Sequence, residues 1–238
     1  MASYRPLRKL ADLTTVSLAL TAVLLVVAPI ATIVHTRQLL ATIRSPRLSY
    51  ADLDRLTDSG GIAPLLYQIL EVLLLASFGL FIAWLYRARR NLDGFEEARP
   101  KWGWGWTFAA WLIPVVNLLA PPAVVADVAR ESRRAATAHA SRVGWLVWLG
   151  WLALLSTVGY GIMLSVRPVE TMSVGWFTYS TSEPVDPSVR EQFAAAFTVD
   201  GPGPLELGAL GLLAVVALAG LVVVRLVTAA QEELNSRA

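Results

Sequence analysis

Apolar positions in this chain gather into long blocks separated by short polar segments. Nearly uncharged runs cover Leu13 to Val34, Ile62 to Tyr86, Trp145 to Val166 and Leu207 to Val224, or 22, 25, 22 and 18 residues. A helix needs roughly 20 such residues to cross about 30 Å of hydrocarbon, so each run predicts a transmembrane helix. A fifth run, Trp102 to Ala126, is also uncharged but holds Pro114, Pro121 and Pro122. Proline inside a helix removes a donor and displaces the carbonyl four residues earlier, so this run predicts a broken helix. Arg5, Arg8 and Lys9 precede the first run, whose apolar core is longer than that of a cleaved leader, so it reads as an uncleaved signal anchor.

Whether the fifth run crosses is decided by the basic residues of the connections. If it does not cross, one side carries 3, 9 and 2 Lys and Arg (residues 1–12, 87–144 and 225–238) and the other 4 and 2 (35–61 and 167–204). If it does cross, the two sides carry ten each. The positive-inside rule favours the first arrangement. The expected fold is therefore an all-α integral membrane protein forming a single polytopic domain over residues 1–238. It has four transmembrane helices, both termini in the cytoplasm, and 102–126 re-entrant or interfacial on the cytoplasmic side. Trp84, Tyr86, Trp102, Trp104, Trp106, Trp145 and Trp148 fall at the cytoplasmic ends of these runs, where an aromatic belt is expected. In the outer connections, Ser49 or Asp52 can cap a short helix closed by Gly60-Gly61, and Asp186-Pro187-Ser188 can open another.

Composition agrees with a membrane protein: of 238 residues, 55% are hydrophobic and 16% charged. With no Cys and two His on different segments, Cys-based metal centres, disulfides and His-rich metal sites are not expected. A net charge of +2, dispersed along the chain, does not make a nucleic-acid-binding face. No phosphate-binding glycine loop, Ser/His pair within the runs or HExxH motif is present, so neither a catalytic constellation nor a cofactor site is expected.

Glu71 is the ionisable residue well inside a run, 13 residues before Trp84 and so about 20 Å above the belt, in the outer third of the bilayer. A carboxylate there costs on the order of 2–3 kcal/mol unless it is protonated, paired or wet. Tyr160 reaches a similar height on the third run, so a hydrogen bond from Tyr160 or Gln68 to Glu71 is the expected use, with proximity to the outer headgroups and ion handling the alternatives. Small residues recur every four positions at Ala153, Thr157, Gly161 and Ser165, and every three at Gly208, Gly211, Ala214, Ala217 and Gly220, spacings that suit close helix packing. In the fifth run, Trp111, Pro114, Asn117 and Pro121 would share a 120° arc of a regular helix, with the Asn117 amide placed to satisfy backbone groups freed by the prolines. Arg87, Arg89 and Arg90 form a cytoplasmic basic cluster. Asp127 to Arg134 would return the chain to water as a charged helix.

The segment from Trp84 to Asn91, then Trp106, then Trp111 to Pro121, closing at Val128 to Ser132, resembles a family of actinobacterial multi-pass membrane proteins catalogued as domain of unknown function 4328. The resemblance implies a four-span helical membrane domain in the cell membrane of a Gram-positive bacterium and carries no activity. On the residues, the expected function is a non-enzymatic scaffold or regulatory membrane subunit. Its environment would be the lipid bilayer, and its partner another membrane protein or a second copy. The alternative is a small transporter or channel using Glu71 and the broken helix around Asn117.

Overall fold

The computed structural model describes residues 4–52, 62–136, 143–165, 184–199 and 204–237, with the side chains of 63, 160–165, 196–199 and 204 left out of the description. Seven α-helices are described: α1 (Arg8–Ile43), α2 (Ala63–Leu92), α3 (Trp106–Leu112), α4 (Ala120–Ala135), α5 (Val143–Ser165), α6 (Pro187–Val199) and α7 (Pro204–Arg237), with a 3-10 turn at Val116–Leu118. Among the described residues the only β pairing is an isolated bridge between Ser49 and Pro184. Three helices, α1, α2 and α7, are long and apolar enough to cross a membrane. The apolar part of α5 spans Val143–Gly159 within its described side chains.

The long helices overrun the apolar runs that predict them. α1 has 36 residues and is about 54 Å long, because its polar flanks still favour helix until Ser45-Pro46 stops it. α2 opens with Pro in its first turn, where the missing N–H costs nothing, and closes with Arg89 and Arg90 against the negative end of its dipole.

Cross-helix contacts fix the directions. Arg5, just before α1, pairs through its backbone with Asn91 of α2, and on the helices themselves Thr14 pairs with the Leu80 carbonyl and Ser17 with Ser77, so the two run antiparallel. On α1 and α7, Asp12 meets Arg225, Leu18 approaches Gly220, and Leu25 clusters with Ala214, so these are antiparallel as well. The start of α1, the end of α2 and the end of α7 thus meet at one end of the bundle, here called the base. There the main core forms from Leu7, Trp84, Leu85, Val124, Val128 and Val227. At the opposite end, Ile43, Leu48, Val185 and Ala194 make a small separate core. It is tied by Val185 N–H to the Leu48 carbonyl at 2.9 Å and by Arg190 to the Ser45 carbonyl at 2.9 Å. The expected caps are present at this end: Ser49 and Asp52 bond reciprocally, and Ser188 donates to Asp186 ahead of α6. Gly60-Gly61 lies outside the described residues.

Two sequence expectations change. Trp111, Pro114, Asn117 and Pro121 do not share a helix face, because no continuous helix passes through them. Ile113 precedes a proline and is extended (φ −89°, ψ 113°), which ends α3 before Pro114. Pro121 and Pro122 begin α4 and so break nothing. Of the aromatic belt, Trp84 is fully buried and its indole donates to Thr228 at 3.1 Å, whereas Trp104, Trp145 and Trp148 are exposed.

Candidate functional site

The most elaborate polar structure lies at the base. α4 carries Val124, Asp127, Val128, Glu131 and Ala135 on one buried face, with Asp127 and Glu131 each only 2% exposed. Asp127 Oδ2 accepts the backbone N–H groups of Lys101 (2.8 Å) and Trp102 (3.2 Å), and its other oxygen pairs with Arg130. Glu131 accepts the Arg99 N–H at 3.0 Å and the Arg130 guanidinium at 3.1 Å. Burial pushes the Glu131 carboxyl up, but these hydrogen bonds and the charge of Arg130 outweigh it and hold it below the ordinary carboxylate range. The chain before α3 is therefore pinned to α4, and segment 101–127 becomes a helical hairpin whose two ends touch.

A second network closes the base. The Gln231 amide donates to the Ala88 carbonyl (3.0 Å) and to Ser132 Oγ (2.8 Å), and accepts from Asn91 Nδ2 at 3.3 Å. Asn91 in turn exchanges hydrogen bonds with the backbone of Arg5. One fully buried amide so joins α2, α4 and α7, and through Asn91 the segment before α1.

Above the base lies an apolar cavity of about 240 Å³ lined by Leu74, Ser77, Phe78, Trp111, Pro121 and Trp151 among others. Its hydroxyls are spoken for: Ser77 bonds Ser17 at 2.6 Å and Thr21 at 2.9 Å. Trp111 packs edge-on against Phe78 and Trp151, and its indole nitrogen is buried without a hydrogen-bond partner among the described residues. The hairpin tip is apolar and outward: Leu112, Val115 and Leu119 are 79%, 80% and 67% exposed.

The residues singled out from sequence separate. Glu71 is exposed, as is Gln68, and no hydrogen bond joins them among the described residues. The side chain of Tyr160 lies outside the described residues. Leu70, next to Glu71 in the chain, clusters with Leu25 and Ala214, near the middle of the apolar runs of α1 and α7. Glu71 is thus level with the middle of those two runs. Asn117 sits in the 3-10 turn with its side-chain oxygen buried and without a partner among the described residues. Backbone satisfaction at this turn comes from elsewhere: the Trp151 indole donates to the Leu118 carbonyl at 2.8 Å. Pro114 is exposed, and Pro121 is buried against the cavity. The basic cluster also divides. Arg89 is buried, bonding the Trp102 carbonyl and Asp93, while Arg90 is exposed over the Trp104 ring and Arg87 donates to the Pro6 carbonyl. Of the small-residue rows, Ala214, Ala217 and Gly220 pack inward, whereas Gly208 and Gly211 face open space; Gly161 and Ser165 lie outside the described side chains.

The buried hydrogen-bonding roles of Asp127, Glu131, Asn91 and Gln231 are not apparent from the sequence. The available signal was the helical spacing that places Asp127 and Glu131 on the same face as Val124 and Val128.

No curated protein and no solved structure matches the chain. Residues 44–229 match the model of a protein family, and that stretch takes in α2 to α6, the hairpin included, and most of α7. The chain belongs to the family described as Domain of unknown function (DUF4328).

Proposed function

We propose that the chain is a four-span protein of the cell membrane with both termini cytoplasmic and segment 102–126 re-entrant from that side. In this reading it is a non-enzymatic scaffold or regulatory subunit that meets a partner helix through the outer face of α2. α5 supplies the fourth span, its 23 residues being about 34 Å long. Re-entrance is supported by the Asp127 contacts, which hold both ends of the hairpin at one level, and by the exposed apolar tip. The sidedness rests on the basic residues gathered at the base. Arg47→Cys and Ser188→Cys in this Cys-free chain should label with an impermeant thiol reagent in intact cells, and Glu97→Cys and Ser236→Cys only after permeabilisation. Labelling of Glu97→Cys in intact cells would reverse the orientation.

The scaffold reading rests on Glu71. Inside the bundle Ser17, Thr21 and Ser77 satisfy one another, whereas this carboxyl faces outward at mid-height, beside Val72 and Leu75, which are 67% and 75% exposed. A lone carboxyl facing hydrocarbon costs on the order of 2–3 kcal/mol, which a donor on a neighbouring helix would offset. A photoreactive residue at Val72 should give an adduct with a membrane protein, reduced by Glu71→Leu. Adducts with lipid alone would refute the scaffold. A pH-driven flux in proteoliposomes, abolished by Glu71→Gln, would replace it with the transporter.

A further inference from the structure

We infer that a groove on the outside of the base is a binding site for one anionic phospholipid. The groove has a volume of about 530 Å³ and lies where α2, the start of α1 and the hairpin helix α3 meet. Its upper part is apolar and narrow-walled: Phe78, Ile82 and Phe108 flank Gly79 and Ala83, and nothing lies within 4 Å of a side chain that would replace the Gly79 hydrogen. Its lower part is lined by Arg5, Arg87 and Arg90. From Gly79 to Arg90 is 11 residues, or about 16 Å along the helix, so one molecule can place a hydrocarbon chain against the glycine and a phosphate among the guanidinium groups.

The charges at the base are distributed in a way that selects an anion. Arg89 is neutralised by Asp93, Arg130 by Asp127 and Glu131, and Arg225 by Asp12. Arg5, Arg87 and Arg90 have no carboxylate partner among the described residues. Two of them are nevertheless held in place, and the third is anchored through its backbone. Arg87 uses one of its five donors on the Pro6 carbonyl, Arg90 lies 5.6 Å over the Trp104 ring, and the Arg5 backbone is fixed by both atoms of the Asn91 amide. A guanidinium set oriented by other contacts, with donors to spare, recognises a phosphate at low entropic loss. Basic pockets between membrane helices at the cytoplasmic interface bind anionic headgroups by the same physics. The inference uses the reading of the base as a membrane interface and is independent of the scaffold role.

The test is native mass spectrometry of the purified full-length protein with phosphatidylglycerol or phosphatidylcholine of identical chains. The expected result is preferential retention of one phosphatidylglycerol. Arg87→Gln with Arg90→Gln should reduce that preference roughly fivefold per arginine. Ala83→Leu, which keeps every charge and fills the chain slot, should lower retention of both lipids and guards against misfolding of the double variant. Equal retention of the two lipids by the unaltered protein would overturn the site. So would an equal loss in Arg134→Gln with Arg237→Gln, since that would make the effect one of net charge. Displacement of the lipid by glycerol phosphate alone at comparable concentration would show a free-phosphate site and would overturn the lipid assignment too.

Discussion

Replacing Asp127 by Ala removes one side chain and should release the whole hairpin. Asp127 Oδ2 holds the N–H groups of Lys101 and Trp102 at 2.8 and 3.2 Å, and hydrogen bonds to a charged group are worth about 1.5–3 kcal/mol each. Two such bonds are worth at most about 6 kcal/mol, and the ion pair with the half-exposed Arg130 adds no more than about 1 kcal/mol. Lys101 is exposed, and its freed N–H can turn to water, so the smaller half of that range applies and the expected loss is about 3 kcal/mol. Asp127→Asn keeps one acceptor without the charge and should lose about half as much. Thermal unfolding in mild detergent measures the loss, and limited trypsin digestion locates it at the Lys101–Trp102 bond, which lies in the strap that Asp127 holds down, whereas Pro100 protects the bond after Arg99. The expected outcome is a lower melting temperature with faster cleavage after Lys101 for Asp127→Ala, and an intermediate effect for Asp127→Asn. Unchanged melting and unchanged cleavage in Asp127→Ala would refute the pinning argument, and equal loss in both variants would show that the charge alone matters.

Two further outcomes follow from the same geometry. Glu131 has its carboxyl held below the ordinary range in the folded state, so its contribution is fully present above the unfolded value near pH 4.3 and is lost as pH falls through the folded value. The stability difference between the unaltered protein and Glu131→Gln should therefore be constant above roughly pH 5 and shrink below it, and a difference that grows on acidification would contradict the assignment. Trp151→Phe keeps the ring packing but leaves the Leu118 carbonyl without its donor, for an expected loss of about 1 kcal/mol in detergent unfolding; Trp148→Phe, at an exposed site, serves as the control, and equal losses would refute the role of the indole.

The positions of the long helices could be read from run length alone, because hydrocarbon thickness dictates how many apolar residues a crossing needs. Their ends could not, since α1 continues through His35, Thr36 and Gln38, residues a helix accepts once it is under way. The break in the fifth run was visible in its prolines, but the outcome was set by where each fell. Pro114 acts on Ile113 before it, and Pro121 falls in a first turn where its missing donor is irrelevant. The base was the least visible part. Asp127 and Glu131 look like residues returning a helix to water until the loop at 99–102 is known to fold back over them, and that contact joins residues 25 to 32 positions apart. Gln231 and Asn91 are 140 positions apart, and nothing in either local sequence announces the partner.

The pairing of α1 with α7 has a consequence for how the protein is made. These are the first and last of the described helices, and among the described residues they share the most extensive seam, marked by Asp12 with Arg225, Leu18 with Gly220 and Leu25 with Ala214. Helices leave the ribosome in chain order at about 5–20 residues per second, so α1 waits for tens of seconds or less with one flank bare. During that interval its hydroxyl contacts with α2 can form, since Ser17, Thr21 and Ser77 are all already present. The other flank has no mate until α7 arrives. The seam therefore closes in one late step rather than by gradual accretion. A chain cut short before Leu207 would be left as an open bundle, with the faces of α1 and α5 that α7 normally covers bare.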